Sequence, residues 1–377
     1  MAPTATTPTV YVIGAGMVGL VTAFELANAG HAVTVIDPEP ASGATHHAGG
    51  MLAPAAEVVY RQDPLFPLML AAAGWHEEIF PAVAAHTGRT LGHRTEGTLV
   101  VAGDKADAAH LAELTDYQDA HGMSVERLTV REARRLEPAL SPRIAGAVSL
   151  PGDTQVFPRM YAEALIDACR DLGVRFHAGT VESVTDEAIA LRGGEAIDLV
   201  DGDQVVLACG LGAARIGGWF TGANPLRLRP VYGDILRVKA PETGEIVTRV
   251  VRGFVEDRPV YVIPRVDGTI AIGATSREDD HPGPLVGGVH QLLRDAIRLV
   301  PALEECEFLE ATCGARPGTP DDLPYLGRIS PRIIVSTGYF RHGILLSAFG
   351  ARVTRELVEG RAPGIDISAC DPLRHGA

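Results

Sequence analysis

A chain of 377 residues with 46% hydrophobic side chains is long enough for two domains, or one large interleaved unit, around a sizeable core. Its 33 basic and 47 acidic residues leave a formal net charge of −14, which argues against nucleic acid and anionic membranes as main partners. Five scattered cysteines without a CxxC spacing point to neither a disulfide framework nor a metal site.

The opening stretch MAPTATTPTV has no basic or apolar signal, and no apolar run approaches a bilayer span. A cytoplasmic chain without membrane insertion is expected. Thr9 to Ile13 reads as a buried parallel strand, Met17 to Asn28 as a helix stopped by Gly30, and Ala32 to Ile36 as a second strand. Leu68 to His86 and Ala106 to Gly122 look helical, and Thr98 to Val101 looks like a strand, all within an inserted second domain. Phe157 to Leu172 has helical spacing with a stop at Gly173. Strand-like runs at Val174 to Phe176, Ala188 to Leu191 and Gln204 to Ala208 return the chain to the first domain. Further strands are expected at Asp234 to Val238, Pro259 to Ile263, Thr269 to Ile272 and Ile333 to Thr337, with helices at Gly288 to Leu299 and Gly350 to Gly360.

The strongest local signal is Gly14-Ala15-Gly16-Met17-Val18-Gly19, placed between a strand and a helix. Gly14 permits the tight turn, Gly16 lets the backbone approach a pyrophosphate, and Gly19 lets helix and strand pack closely. Asp37 ends the next strand 18 residues after Gly19, where a carboxylate can accept from ribose hydroxyls. The motif alone does not separate NAD from FAD. The segment Ser42 to Pro54, SGATHHAGGMLAP, is rich in small residues and suits a backbone lying along an extended flavin. Two arginines, Arg316 and Arg341, sit among glycines and what read as tight turns, where a guanidinium could hold a carboxylate through two parallel bonds.

Several segments together resemble the D-amino-acid oxidase superfamily, and within it the glycine oxidases of thiamine biosynthesis. They are AGGMLAPAAE at 48–57, GDTQVFPRMY at 152–161, YVIPR at 261–265, AIGATS at 271–276, RPGTPDDLPYLG at 316–327 and GYFRHGILL at 338–346. The resemblance implies an α/β fold. A Rossmann-like FAD-binding domain of the glutathione-reductase type (1–60, 151–220, 325–377) is interleaved with an α+β substrate domain on a mixed or antiparallel sheet (61–150, 221–324). It implies that Met17, Val18, Asp37, Pro38, Thr45, His46, Gly50, Met51 and Leu52 contact FAD, and that Val181 pairs its backbone with the adenine. Tyr339, Phe340, Arg341, His342, Gly343, Ile344 and Leu345 would run along the isoalloxazine and pyrophosphate, Arg316 would hold the substrate carboxylate, and Tyr261 would flank the substrate.

Three departures from the family pattern lie near the inferred ring: Ser276 after GAT, Tyr232-Gly233 after Pro230-Val231, and His46-His47 in place of small or hydroxyl residues. Cys313 is one residue out of register with the cysteine that binds flavin covalently in sarcosine-oxidase relatives, so non-covalent FAD is expected. The implied reaction is oxidation of glycine or another small amino acid or amine to an imine, which hydrolyses to a keto acid and ammonia, with oxygen reduced to hydrogen peroxide. A D-amino-acid dehydrogenase passing electrons to a quinone or other carrier, and an amine oxidase acting on a specialised metabolite, are the alternatives. The sequence leaves the oligomeric state open, a homo-oligomer included.

Overall fold

A computed structural model describes every residue except 1–7, 61, 243 and 377. The expectation drawn from MAPTATTPTV, and the outer limits of the expected first domain, therefore fall largely or partly outside the described residues.

A six-stranded sheet carries the expected β-α-β unit. Its order is Tyr325–Arg328, Ile333–Thr337, Gln204–Leu207, Thr9–Ile13, Ala32–Ile36, Arg175–His177, and only the first of these runs antiparallel to its neighbour. Alternation along the strands divides the two faces. Val10, Val12, Val33, Val35 and Val206 meet the helices Met17–Asn28, Phe66–Ala84, Pro158–Asp171 and Ser347–Val358. Tyr11, Ile13, Val205, Leu207 and Val335 meet an antiparallel three-stranded sheet, Val181–Val184, Ala188–Leu191 and Ala196–Asp198. Helix Phe66–Ala84, expected in the inserted domain, thus packs into the core of the six-stranded sheet through Leu68, Met69, Ala72, Ile79 and Phe80.

The second sheet has eight strands in the order Glu307–Gly318, Arg229–Lys239, Thr269–Gly273, Arg258–Pro264, Val250–Val255, Thr98–Ala102, Gly146–Leu150, Glu126–Leu128. All pairs are antiparallel except Val250–Val255 with Thr98–Ala102, so the sheet is mixed. Helix Val286–Leu299 covers one face through Leu292, Ala296 and Leu299. The other face buries Val100, Val148, Ile235 and Ile263 against helix Lys105–Ala120 and against Met51, Ala53 and Ala55. The small-residue segment is therefore the seam between the layers: Leu52 belongs to the core of the first sheet and Met51 to that of the second.

One local expectation is corrected. Arg316 does not sit in a turn; it lies within the 12-residue strand Glu307–Gly318, paired in register with Val231. Glycines and a proline hide this strand from a periodicity reading, and its ladder to Arg229–Lys239, a contact distant in sequence, supplies the pairing.

Candidate active site

The strand Thr9–Ile13 ends in Gly14, whose φ is +104° and where a Cβ would come 2.6 Å from the Cα of Cys209 on the neighbouring strand's exit. A Cβ on Gly19 would come 1.9 Å from the Gly14 carbonyl oxygen, so the helix reaches the turn this closely only because residue 19 is glycine. The helix N-terminus has no capping side chain from its own Gly16. Instead the Met17 N–H donates to Oγ1 of Thr45 at 2.8 Å, and the Ala15 N–H donates to Oδ2 of Asp37 at 2.7 Å. Asp37 also accepts from the Glu39 N–H at 2.7 Å. A carboxylate offers about four acceptor positions, so two remain for a ribose.

These residues open onto a cavity of about 1250 Å³ that runs between the two sheets. One end is walled by Gly14, Gly16, Asp37, Pro38, Val181 and Arg215, the other by Tyr261, Tyr232, Arg252, Arg316 and Arg341. The volume exceeds the roughly 300–1,000 Å³ of ordinary small-molecule pockets; it suits an extended dinucleotide plus a small substrate. Met17, Val18, Thr45, Gly50, Met51, Tyr339, Phe340, Gly343 and Ile344 also line it. Gly19, His46, Leu52, His342 and Leu345 stand back from the wall: Leu52 and Leu345 are core residues, and His46 presents its carbonyl to arginines.

At the far end, the Arg316 guanidinium lies over the α-carbon of Gly233 on the paired strand: a Cβ there would come 2.4 Å from both terminal nitrogens. Its one hydrogen bond runs from Nη1 to the Thr275 carbonyl at 3.3 Å. Tyr261 lies over Gly273, its register partner. Burial raises the Tyr261 phenol above its ordinary range, partly offset by the Arg316 charge, so the hydroxyl remains a donor. Arg252 donates to Oε1 of buried Glu57 at 3.1 Å, and Nδ1 of His342 stands 3.7 Å from Oε2, an electrostatic contact beyond hydrogen-bond length. Burial alone would raise the Glu57 carboxyl, but His342, Arg252 and Arg341 hold it down at about 2. Arg341, exposed to the cavity, makes no hydrogen bond or ion pair among the described residues. His47 lines the cavity, and burial together with His46 and nearby arginines keeps it neutral, at about 4.

Sequence reading missed the residues that hold the seam. The His46 carbonyl accepts from Arg159 at 3.1 Å and from Arg237 at 2.9 Å, and the Gly49 carbonyl accepts from buried Arg265. Arg265 also donates to the Val156 carbonyl at 2.9 Å. Asp153 accepts from the Ala55 and Ala56 N–H groups at 3.3 and 3.1 Å. The available signal was a charge inside an apolar strand, as for Arg237 in DILRVK and Arg252 in VVRGFV. Cys313 also lines the cavity. Burial and the Asp234 carboxylate push its thiol up to about 11, with Nη2 of Arg277 3.4 Å away.

A glycine turn at a helix N-terminus, a carboxylate at the end of the second strand and a cavity reaching a second, arginine-lined sheet define an FAD-dependent oxidoreductase. The family model described as "DAO: FAD dependent oxidoreductase" matches residues 9–357, and the chain belongs to that family. It is 31% identical to a glycine oxidase from Geobacillus kaustophilus over 97% of each chain. It is 32% identical to the bifunctional protein ThiO/ThiG of Synechocystis, of which it spans 54%. The crystal structure of the Geobacillus kaustophilus glycine oxidase superposes with a TM-score of 0.88 at 30% identity, over 98% of this chain and all of that one. Among the described residues no helix is long and apolar enough to cross a membrane, and no group of three or more His, Cys, Asp or Glu could hold a metal ion.

Proposed function

We propose that this protein oxidises glycine or another small amino acid or amine to the imine, which hydrolyses to the keto acid and ammonia while oxygen becomes hydrogen peroxide. The carrying observation is Arg316, a permanently charged group in the cavity wall with a single long hydrogen bond of its own. It is poised to give a substrate carboxylate the two parallel bonds that would repay desolvation. FAD, when bound, would supply the two-electron oxidation of the α-carbon–hydrogen bond, with oxygen as the final acceptor. The chain's own residues bind and orient. Tyr261 offers its hydroxyl beside Arg316, and His47, neutral, adds no competing cation.

The ADP half would rest on Gly14, Gly16, Met17 and Val18, with Asp37 on the ribose and the Val181 backbone at the adenine. Pro38, Thr45, Gly50, Met51 and the backbone of 339–345 would follow the rest. Attachment would be non-covalent, because burial and the Asp234 carboxylate keep the Cys313 thiol protonated against the opposing charge of Arg277. The units 1–60, 151–220 and 325–377 would bind the cofactor, and 61–150 and 221–324 would form the substrate side, with helix Phe66–Ala84 buttressing the former. A cytoplasmic place, a homo-oligomeric state and service to thiamine biosynthesis belong to the same proposal; the likeness to ThiO/ThiG supports the last. Purified, FAD-loaded protein given glycine in air should form glyoxylate, ammonia and hydrogen peroxide in equal amounts. Absence of peroxide while a quinone analogue is reduced would assign the electrons to a carrier instead.

A further inference from the structure

The arginine-lined end of the cavity carries more positive charge than one carboxylate can meet. Its wall holds Arg252, Arg316 and Arg341 against a single acid, Glu57. Glu57 is already taken, with Arg252 at 3.1 Å and His342 at 3.7 Å. The other nearby acid, Asp322, is paired with Arg229 at 3.0 Å. Arg341 therefore shares this wall with two guanidinium groups and has no acid of its own among the described residues. Exposed to the cavity and without an acidic partner among the described residues, the Arg341 guanidinium is free to take an anion that enters there. The diphosphate of a bound dinucleotide would rest on the Gly14–Gly16 turn, beside Asp37 and Arg215, and the backbone of 339–345 rather than the Arg341 guanidinium would follow it.

We infer that Arg341, backed by the Glu57–Arg252 pair, forms a second anion-binding position, so that the preferred amine substrate carries another carboxylate or equivalent anionic group besides the one held by Arg316. The inference rests on Arg316 being the carboxylate clamp, and it narrows the substrate class from small amino acids to dianionic amines. The backbone of Arg341 can still follow the cofactor while its guanidinium addresses the substrate. The rival role for the same charge is to stabilise negative charge on the reduced cofactor, which would affect every substrate and ligand alike.

The test is equilibrium binding to FAD-loaded protein, read as perturbation of the flavin absorption and checked by calorimetry. The ligands are malonate and succinate, each compared with the monocarboxylate of equal carbon count less one, acetate and propionate. Wild type should bind the better dicarboxylate at least tenfold more tightly than its monocarboxylate partner. Arg341→Met should bring that ratio close to one, and Arg341→Lys should leave an intermediate ratio; the lysine variant carries the comparison if the methionine variant does not retain FAD. Arg316→Lys should weaken both ligand types. Equal affinity for mono- and dicarboxylates in wild type, or a ratio unchanged in the Arg341 variants, overturns the second site. Glycine turnover is measured separately. A dicarboxylate preference without amine oxidation would refute the oxidase reading alone, and oxidation without the preference would refute the second site alone.

Discussion

Replacing Gly233 by Ala isolates the role of Arg316 without touching Arg316 itself. The new Cβ would stand 2.4 Å from both terminal guanidinium nitrogens and 2.6 Å from the carbon between them. An ordinary contact of this kind is about 3.5 Å, so the guanidinium must retreat by about 1 Å. The obstacle is the far end of a flexible side chain, not backbone, so the strand Arg229–Lys239 and its ladder should survive. A misplacement of about 1 Å in a substrate-positioning group costs roughly a hundredfold, or about 3 kcal/mol of transition-state stabilisation. The assay is kcat/KM for glycine and for methylamine, with FAD content and Tm measured on the same preparations. We expect glycine oxidation to fall by about two decades, methylamine to change little, and FAD content to be unaltered. An unchanged kcat/KM for glycine, or an equal loss with both substrates, would show that the guanidinium over Gly233 does not hold the carboxylate.

Arg316→Lys, which keeps the charge and loses the two-pronged geometry, should lower kcat/KM for amino acids by about 2–4 kcal/mol with the flavin spectrum intact; kinetics on glycine and methylamine read the difference. Asp37→Ala should weaken FAD by about one to two decades, the worth of a charged hydrogen bond, and an unchanged affinity in a flavin titration would remove Asp37 from the ribose. Acid precipitation should release the flavin into the supernatant, and yellow colour kept by the pellet would instead implicate Cys313. The pH dependence of stability should show two histidines. His47 and His76 are each depressed by burial to about 4, below the ordinary value near 6.5, so both stay neutral in the folded chain and charge on unfolding. Their contribution is complete above about pH 6.5 and is lost as pH falls towards 4. The Asp153 carboxyl, raised by burial to about 7, opposes this trend in the same window, so the test is the difference between proteins. The urea midpoint of His76→Gln should fall less, or rise more, than that of the parent chain as pH drops from about 6.5 to about 4, and parallel profiles would refute the assignment.

The β-α-β unit was legible because its information is local: apolar runs, a helical period and glycines at fixed spacing lie within residues 9–37. The strand bearing Arg316 was not, because EFLEATCGARPG has no alternation to read and gains its conformation from a distant partner. The small-residue segment signalled itself by composition. The arginines that fix it did not, because Arg159, Arg237 and Arg265 lie more than a hundred residues away from the carbonyls they clamp. Leu52 and Leu345 fell within family motifs but face the core, since neighbouring residues in an extended or turning segment point to opposite sides. The unmatched charge of Arg341 is a property of the folded wall alone, invisible until Glu57 and Asp322 are seen engaged elsewhere.

The central claim is that this cavity brings a small amino acid to FAD for oxidation, and anaerobic mixing of the FAD-loaded protein with amines tests it most directly. Without oxygen, glycine or another small amino acid should bleach the visible flavin absorption in a single turnover, releasing one ammonia per flavin, and Arg316→Lys should bleach far more slowly. A flavin spectrum that stays fully oxidised through a panel of glycine, sarcosine, D-alanine, D-aspartate and iminodiacetate would contradict the account.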